Sequence, residues 1–99
     1  MRLSVALVRV AQNGNLVATR KVMEFVGHTV ANWIEEYDLL SRWRGYSDQV
    51  QKVIRGCIYR YRYTGSFLRY VFKTLEYSAR GLRSFVAHSL DEPILSHRV

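Results

Sequence analysis

Three short segments, each joining a glycine to a helix-capping side chain, set the organisation of this chain. They are Gly14-Asn15, Gly45-Tyr46-Ser47 and Gly65-Ser66. Glycine takes the left-handed conformation just past a helix end at the lowest cost. An Asn or Ser side chain then accepts hydrogen bonds from the unpaired N–H groups that open the next helix. The pattern predicts an all-α fold, a compact bundle of about four helices joined by very short turns.

The second predicted helix is long for a chain of 99 residues. Apolar side chains spaced alternately three and four apart run from residue 16 to residue 40 and form one helical stripe. A helix of about 28 residues is roughly 42 Å long, whereas a domain of this length has a radius of gyration of roughly 13 Å. We therefore expect either a break near Gly27 or a homodimer in which a second copy covers the stripe. The residues predicted for that interface are Met23, Val26, Val30, Trp33 and Tyr37.

The third and fourth helices are predicted over residues 48–64 and 66–90, each with its own apolar stripe. The link between them is so short that they should pack as an antiparallel hairpin. Pro93 cannot continue a helix, because it lacks the N–H and crowds the preceding turn. The sequence thus predicts a single helical domain over residues 1–92 and a C-terminal tail over residues 93–99.

An α+β fold is the alternative, with β-hairpins near residues 3–22 and 58–72. Asn13-Gly14 is a common two-residue hairpin turn, and alternating tyrosines and arginines over residues 59–63 have the period of two that is typical of a strand. The alternation is brief, whereas the helical stripes continue through the flanks of both turns. The pattern therefore favours the all-α fold.

Positive charge is concentrated in the second half of the chain. The formal net charge is +7, and residues 41–88 contain ten basic side chains against two acidic ones. The basic residues of the third and fourth helices recur at spacings of three and four, which places each set on one helix face. Arginine binds phosphate with two parallel hydrogen bonds, and tyrosine can stack on an unpaired base. We therefore expect nucleic-acid binding, RNA more than DNA, without strong sequence specificity. The predicted contacts are Lys52, Arg55, Arg62, Arg69, Lys73, Arg80 and Arg83, with Tyr59 and Tyr70 for stacking.

A protein-interaction module is the alternative function. Such a module, for example an accessory protein of the virus or phage type, would capture an acidic or amphipathic partner helix in an apolar groove. Contact of the fourth helix with an anionic membrane surface is disfavoured, because its apolar face is better explained as core.

No pattern indicates an enzyme, a metal or a cofactor. The three histidines have no metal-ligand spacing, and Cys57 lies on an apolar stripe, where a cysteine is usually a small buried side chain. One cysteine cannot form an internal disulfide, so an intracellular location is favoured. Within the cell, we expect the cytoplasm. Mitochondrial targeting is the alternative, because the stretch before Glu24 is basic and free of acidic residues.

Overall fold

The computed structural model describes residues 3–82. This part of the chain contains four α-helices and one short 3₁₀ helix. The α-helices are α1 (Val5–Gln12), α2 (Leu16–Glu36), α3 (Ser47–Arg60) and α4 (Phe67–Ala79), and the 3₁₀ helix is Leu40–Trp43. There is no strand within residues 3–82, so the all-α prediction is confirmed. The alternative with hairpins near 3–22 and 58–72 is wrong. Both segments form two helices around a turn, because spacings of three and four bury one face of each.

The glycine-centred turns are formed as predicted. Gly14, Gly45 and Gly65 have φ angles of 97°, 89° and 93°, in the left-handed region that glycine adopts without strain. The Asn15 side chain caps α2 by accepting from the Ala18 N–H at 2.9 Å, and Ser66 caps α4 by accepting from the Arg69 N–H at 3.0 Å. The start of α3 differs, because Ser47 is already its first helical residue.

Helix α2 is shorter than predicted and is continuous through Gly27. It has 21 residues and ends at Glu36, where Tyr37 turns to an extended conformation with ψ 124°. At 1.5 Å per residue it is about 32 Å long, which fits within the longest dimension of 41 Å. The helix therefore needs neither a break near Gly27 nor a second copy of the chain.

Most of the predicted dimer interface is covered by the chain itself. Met23, Val26 and Val30 are only 8%, 0% and 1% exposed, because α1, α3 and the 3₁₀ helix pack against α2. These three side chains therefore belong to the core of a single chain. Trp33 and Tyr37 both meet the Phe72 ring edge-on, at 4.9 and 5.2 Å between ring centres, and Tyr37 remains 47% exposed.

The 3₁₀ helix ties α2 to α4. It carries Leu40 and Trp43 into the core, where each is 1% exposed, and the Trp43 indole N–H donates to the Leu75 carbonyl at 3.0 Å. Leu75 itself is fully buried. This segment was not predicted as an element because four residues are too few to show a period.

Helices α3 and α4 also end earlier than predicted. Helix α3 stops at Arg60 instead of residue 64, and α4 stops at Ala79. The part of the fourth predicted helix beyond residue 82, Arg83 within it, and the predicted tail over residues 93–99 lie outside the described residues.

Candidate nucleic-acid interface

Gln12, the last residue of α1, connects that helix to the C-terminal end of α3. The Gln12 side-chain amide donates to the carbonyls of Ile58, at 2.9 Å, and Tyr61, at 2.8 Å, which would otherwise be unpaired at the last turn of α3. The same side chain accepts a hydrogen bond from the Tyr63 hydroxyl. The α1–α2 turn and the α3–α4 linker therefore lie at one end of the bundle. We call this region, residues 9–21 and 55–69, the turn end.

The α3–α4 linker is held in place by its aromatic residues. Tyr63 has a φ of 65°, a left-handed conformation that is rare for a large side chain. The Arg9 guanidinium lies over its ring at 4.8 Å from the centre, in a cation–π contact. Tyr61 packs against the rings of both Tyr63 and Phe67, and its hydroxyl donates to the Gly65 carbonyl. These contacts fix the linker and bring Arg9 beside it.

The turn end is strongly basic. Its seven cations are Arg9, Arg20, Lys21, Arg55, Arg60, Arg62 and Arg69, and residues 9–21 and 55–69 include no Asp or Glu. Four of the six acidic residues within 3–82 lie near the C-terminal end of α2 or the N-terminal end of α3, at the opposite end of the bundle. These are Glu35, Glu36, Asp38 and Asp48. Such a separation of charge produces a field that attracts anions to one end.

The predicted contact residues divide between the turn end and other surfaces. Arg55, Arg62 and Arg69 belong to the turn end, whereas Lys52 lies earlier on α3 and Arg80 follows the far end of α4. All five are exposed, and none of their side chains forms an ion pair or hydrogen bond with any residue in the described part of the chain. Lys73, in contrast, lies 3.8 Å from the Glu76 carboxylate, which partly neutralises it. Arg62 lies in the linker and not on α3, because that helix ends at Arg60.

The two predicted stacking tyrosines differ in accessibility. Tyr59 is 49% exposed and lies one helical turn after Arg55 on the same face of α3. Tyr70 is half-buried, with its ring 5.9 Å from that of Tyr61, so it contributes to packing within the chain. Tyr59 is the better placed of the two to meet a base.

Sequence reasoning missed Arg9 and Arg20 as members of this surface. Arg20 lines an open groove of about 590 Å³ between α2 and α3, opposite Arg55. We call it the α2–α3 groove, and its side chains include Leu16, Arg20, Glu24, His28, Gln51 and Arg55. The sequence places the predicted contacts on the third and fourth helices alone. Arg55 instead faces α2 across this groove, because α3 packs against α2 as well as against α4. Only the helix packing could show this.

The chain has one cysteine, Cys57, and its thiol is buried. Burial raises the pKa of the Cys57 thiol, and a hydrogen bond to Thr74 and the charge of Arg60 offset this only in part. A neutral, fully buried thiol is a poor nucleophile. Within residues 3–82, no cluster of three His, Cys, Asp or Glu side chains is arranged to hold a metal ion. In the same range, no helix combines the length and the apolar character needed to cross a bilayer.

The chain matches no protein-family model, and no curated protein or solved structure shows significant similarity to it. A proposal about its function therefore rests on its own side chains and their placement.

Proposed function

We propose that this protein binds nucleic acid, RNA in preference to DNA, through phosphate contacts and without strong sequence specificity. The observation that supports this most is the set of exposed, unpaired arginines at a turn end that has no acidic residue. A cation without a carboxylate partner keeps its full attraction for phosphate. Each phosphate that it neutralises also releases counterions from the nucleic acid.

The kinds of side chain at the turn end support a backbone-binding mode. Arg55, Arg62 and Arg69 come from α3, the linker and α4, so they are spread over one surface and not gathered in one pocket. Guanidinium groups match the geometry of phosphate and can also stack on bases. The exposed Tyr59 ring adds a surface for an unpaired base, which supports RNA with single-stranded segments as the ligand.

The test is removal of two cations from the turn end. We expect Arg62→Ala combined with Arg69→Ala to weaken binding of a fluorescein-labelled oligouridylate, measured by anisotropy over a range of salt concentrations. The slope of log K against log salt should become less steep by about 0.7 for each lost contact with a single strand, and so by about 1.4 for the pair.

Arg44→Ala is the control, because it removes an arginine that lies outside the turn end. Arg44 lies at the other end of the bundle, paired with Glu35 at 3.2 Å. Its loss should leave the slope almost unchanged. If Arg44→Ala changed the slope as much per arginine removed as the double variant does, a localised surface would be contradicted. Absence of binding by the unsubstituted protein at low salt would refute the proposed function.

One observation favours a second candidate, a protein-interaction module. A groove of about 510 Å³ between α1 and α2 is lined by the apolar side chains Leu3, Leu7 and Phe25. An amphipathic partner helix could place its apolar face there. Binding of that kind should change little with salt, which distinguishes it from phosphate binding.

A further inference from the structure

The α2–α3 groove brings together two arginines that are 35 positions apart in the sequence. Arg20 lines it from α2 and Arg55 from α3, and neither side chain forms an ion pair or hydrogen bond with a residue in the described range. Two guanidinium groups that line one groove raise the positive potential within it, which favours an anionic ligand. Glu24 also lines this groove, but it pairs with neither arginine.

We propose that the α2–α3 groove binds the backbone of a single nucleic-acid strand, with Arg20 and Arg55 contacting its phosphates from the two sides. This inference rests on the proposed function and deepens it, because it names single-stranded nucleic acid as the form that the groove selects. It also assigns a binding role to Arg20.

The shape of the groove supports a single strand. Packed helices have axes about 8–10 Å apart, so the furrow between them is narrow. One flexible backbone can follow such a furrow, whereas a duplex presents a rigid convex surface that can touch only its edges. The cavity of about 590 Å³ has an open mouth, as a strand that enters and leaves requires.

The other side chains of the groove suit a nucleotide. Gln51 offers an amide that can hydrogen-bond with a base edge, and His28 adds a polar ring on the α2 side. Leu16, which is 74% exposed, provides an apolar wall at the start of α2. Tyr59 lies one turn beyond Arg55 on the same face of α3, where a base leaving the groove could stack on its ring.

Two neighbouring residues on α2 provide a matched test. Arg20 and Lys21 are both exposed and carry the same charge, but Arg20 lines the α2–α3 groove whereas Lys21 lines the groove between α1 and α2. Arg20→Glu and Lys21→Glu change the net charge equally. We expect Arg20→Glu to weaken binding of a labelled oligouridylate about tenfold more than Lys21→Glu does, because only Arg20 touches the strand.

A labelled RNA hairpin duplex serves as the second probe. Both variants should weaken duplex binding to a similar extent, since the duplex stays outside the groove. Circular dichroism of the two variants should show equal helix content, which separates a lost contact from a lost fold.

Equal effects of Arg20→Glu and Lys21→Glu on the single strand would overturn the groove proposal. So would a larger effect of Arg20→Glu on the duplex than on the single strand. Either result is compatible with phosphate binding at Arg62 and Arg69, so the proposed function would stand. If the unsubstituted protein bound neither probe, both the groove proposal and the proposed function would be refuted.

Discussion

Replacement of Gln12 by alanine should destabilise the whole bundle, although this residue lies at the end of a short helix. Its amide satisfies two carbonyls at the last turn of α3, and its oxygen accepts from the Tyr63 hydroxyl. A hydrogen bond contributes about 1 kcal/mol net to stability, and partly buried groups left without a partner cost somewhat more. Loss of all three bonds should therefore lower the free energy of unfolding by about 2–3 kcal/mol.

The assay is urea denaturation followed by far-ultraviolet circular dichroism, together with the melting temperature. For a domain of this size, each kcal/mol lost from the free energy of unfolding lowers the melting temperature by about 4–8 °C. Gln12→Ala should therefore lower the melting temperature by about 10–20 °C. Gln12→Glu should also destabilise the protein at neutral pH, because a carboxylate can accept from Tyr63 but cannot donate to the two carbonyls.

Gln51→Ala is the control for this prediction. Gln51 is an exposed glutamine on α3 whose side chain forms no hydrogen bond with another residue between 3 and 82. Its replacement should change stability by less than about 0.5 kcal/mol. If Gln12→Ala were as mild as Gln51→Ala, the argument that this side chain joins α1 to α3 would be refuted.

Two further predictions concern assembly and alkaline pH. A homodimer remains a prediction, now resting on the half-exposed Tyr37; light scattering at micromolar concentration should give twice the monomer mass, and Tyr37→Asp should give the monomer mass with unchanged helix content. A monomeric mass that does not change on concentration would rule the dimer out. Burial raises the pKa of Cys57 above its usual 9.0, so the folded state holds this proton more tightly than the unfolded state does. The contribution of the neutral Cys57 thiol to the free energy of unfolding is present below about pH 9 and is lost as pH rises further. The free energy of unfolding of the wild type, measured by urea denaturation, should therefore fall above about pH 9 more steeply than that of Cys57→Ala. Parallel pH profiles of the two proteins would contradict the burial argument.

The surface chemistry of α3 and α4 could be predicted only in part from sequence. Helical spacing correctly indicated that Lys52, Arg55 and Arg69 would be exposed, because basic side chains opposite an apolar stripe face water. Spacing could not show that Lys73 would lie near Glu76, since a pair at this separation can stay apart. Nor could it show that Tyr70 would pack against Tyr61 across the hairpin.

The local features of this protein follow from short stretches of its sequence. Left-handed glycines and the caps Asn15 and Ser66 act within a few residues, so the turns and the start of α2 could be read directly. Which side chains meet depends on the tertiary structure. It covers Val26 with the chain's own helices, joins Gln12 to the end of α3 and places Arg20 opposite Arg55. Such contacts depend on how helices from distant parts of the chain pack. Periodicity gives the buried face of a helix but not the partner that buries it.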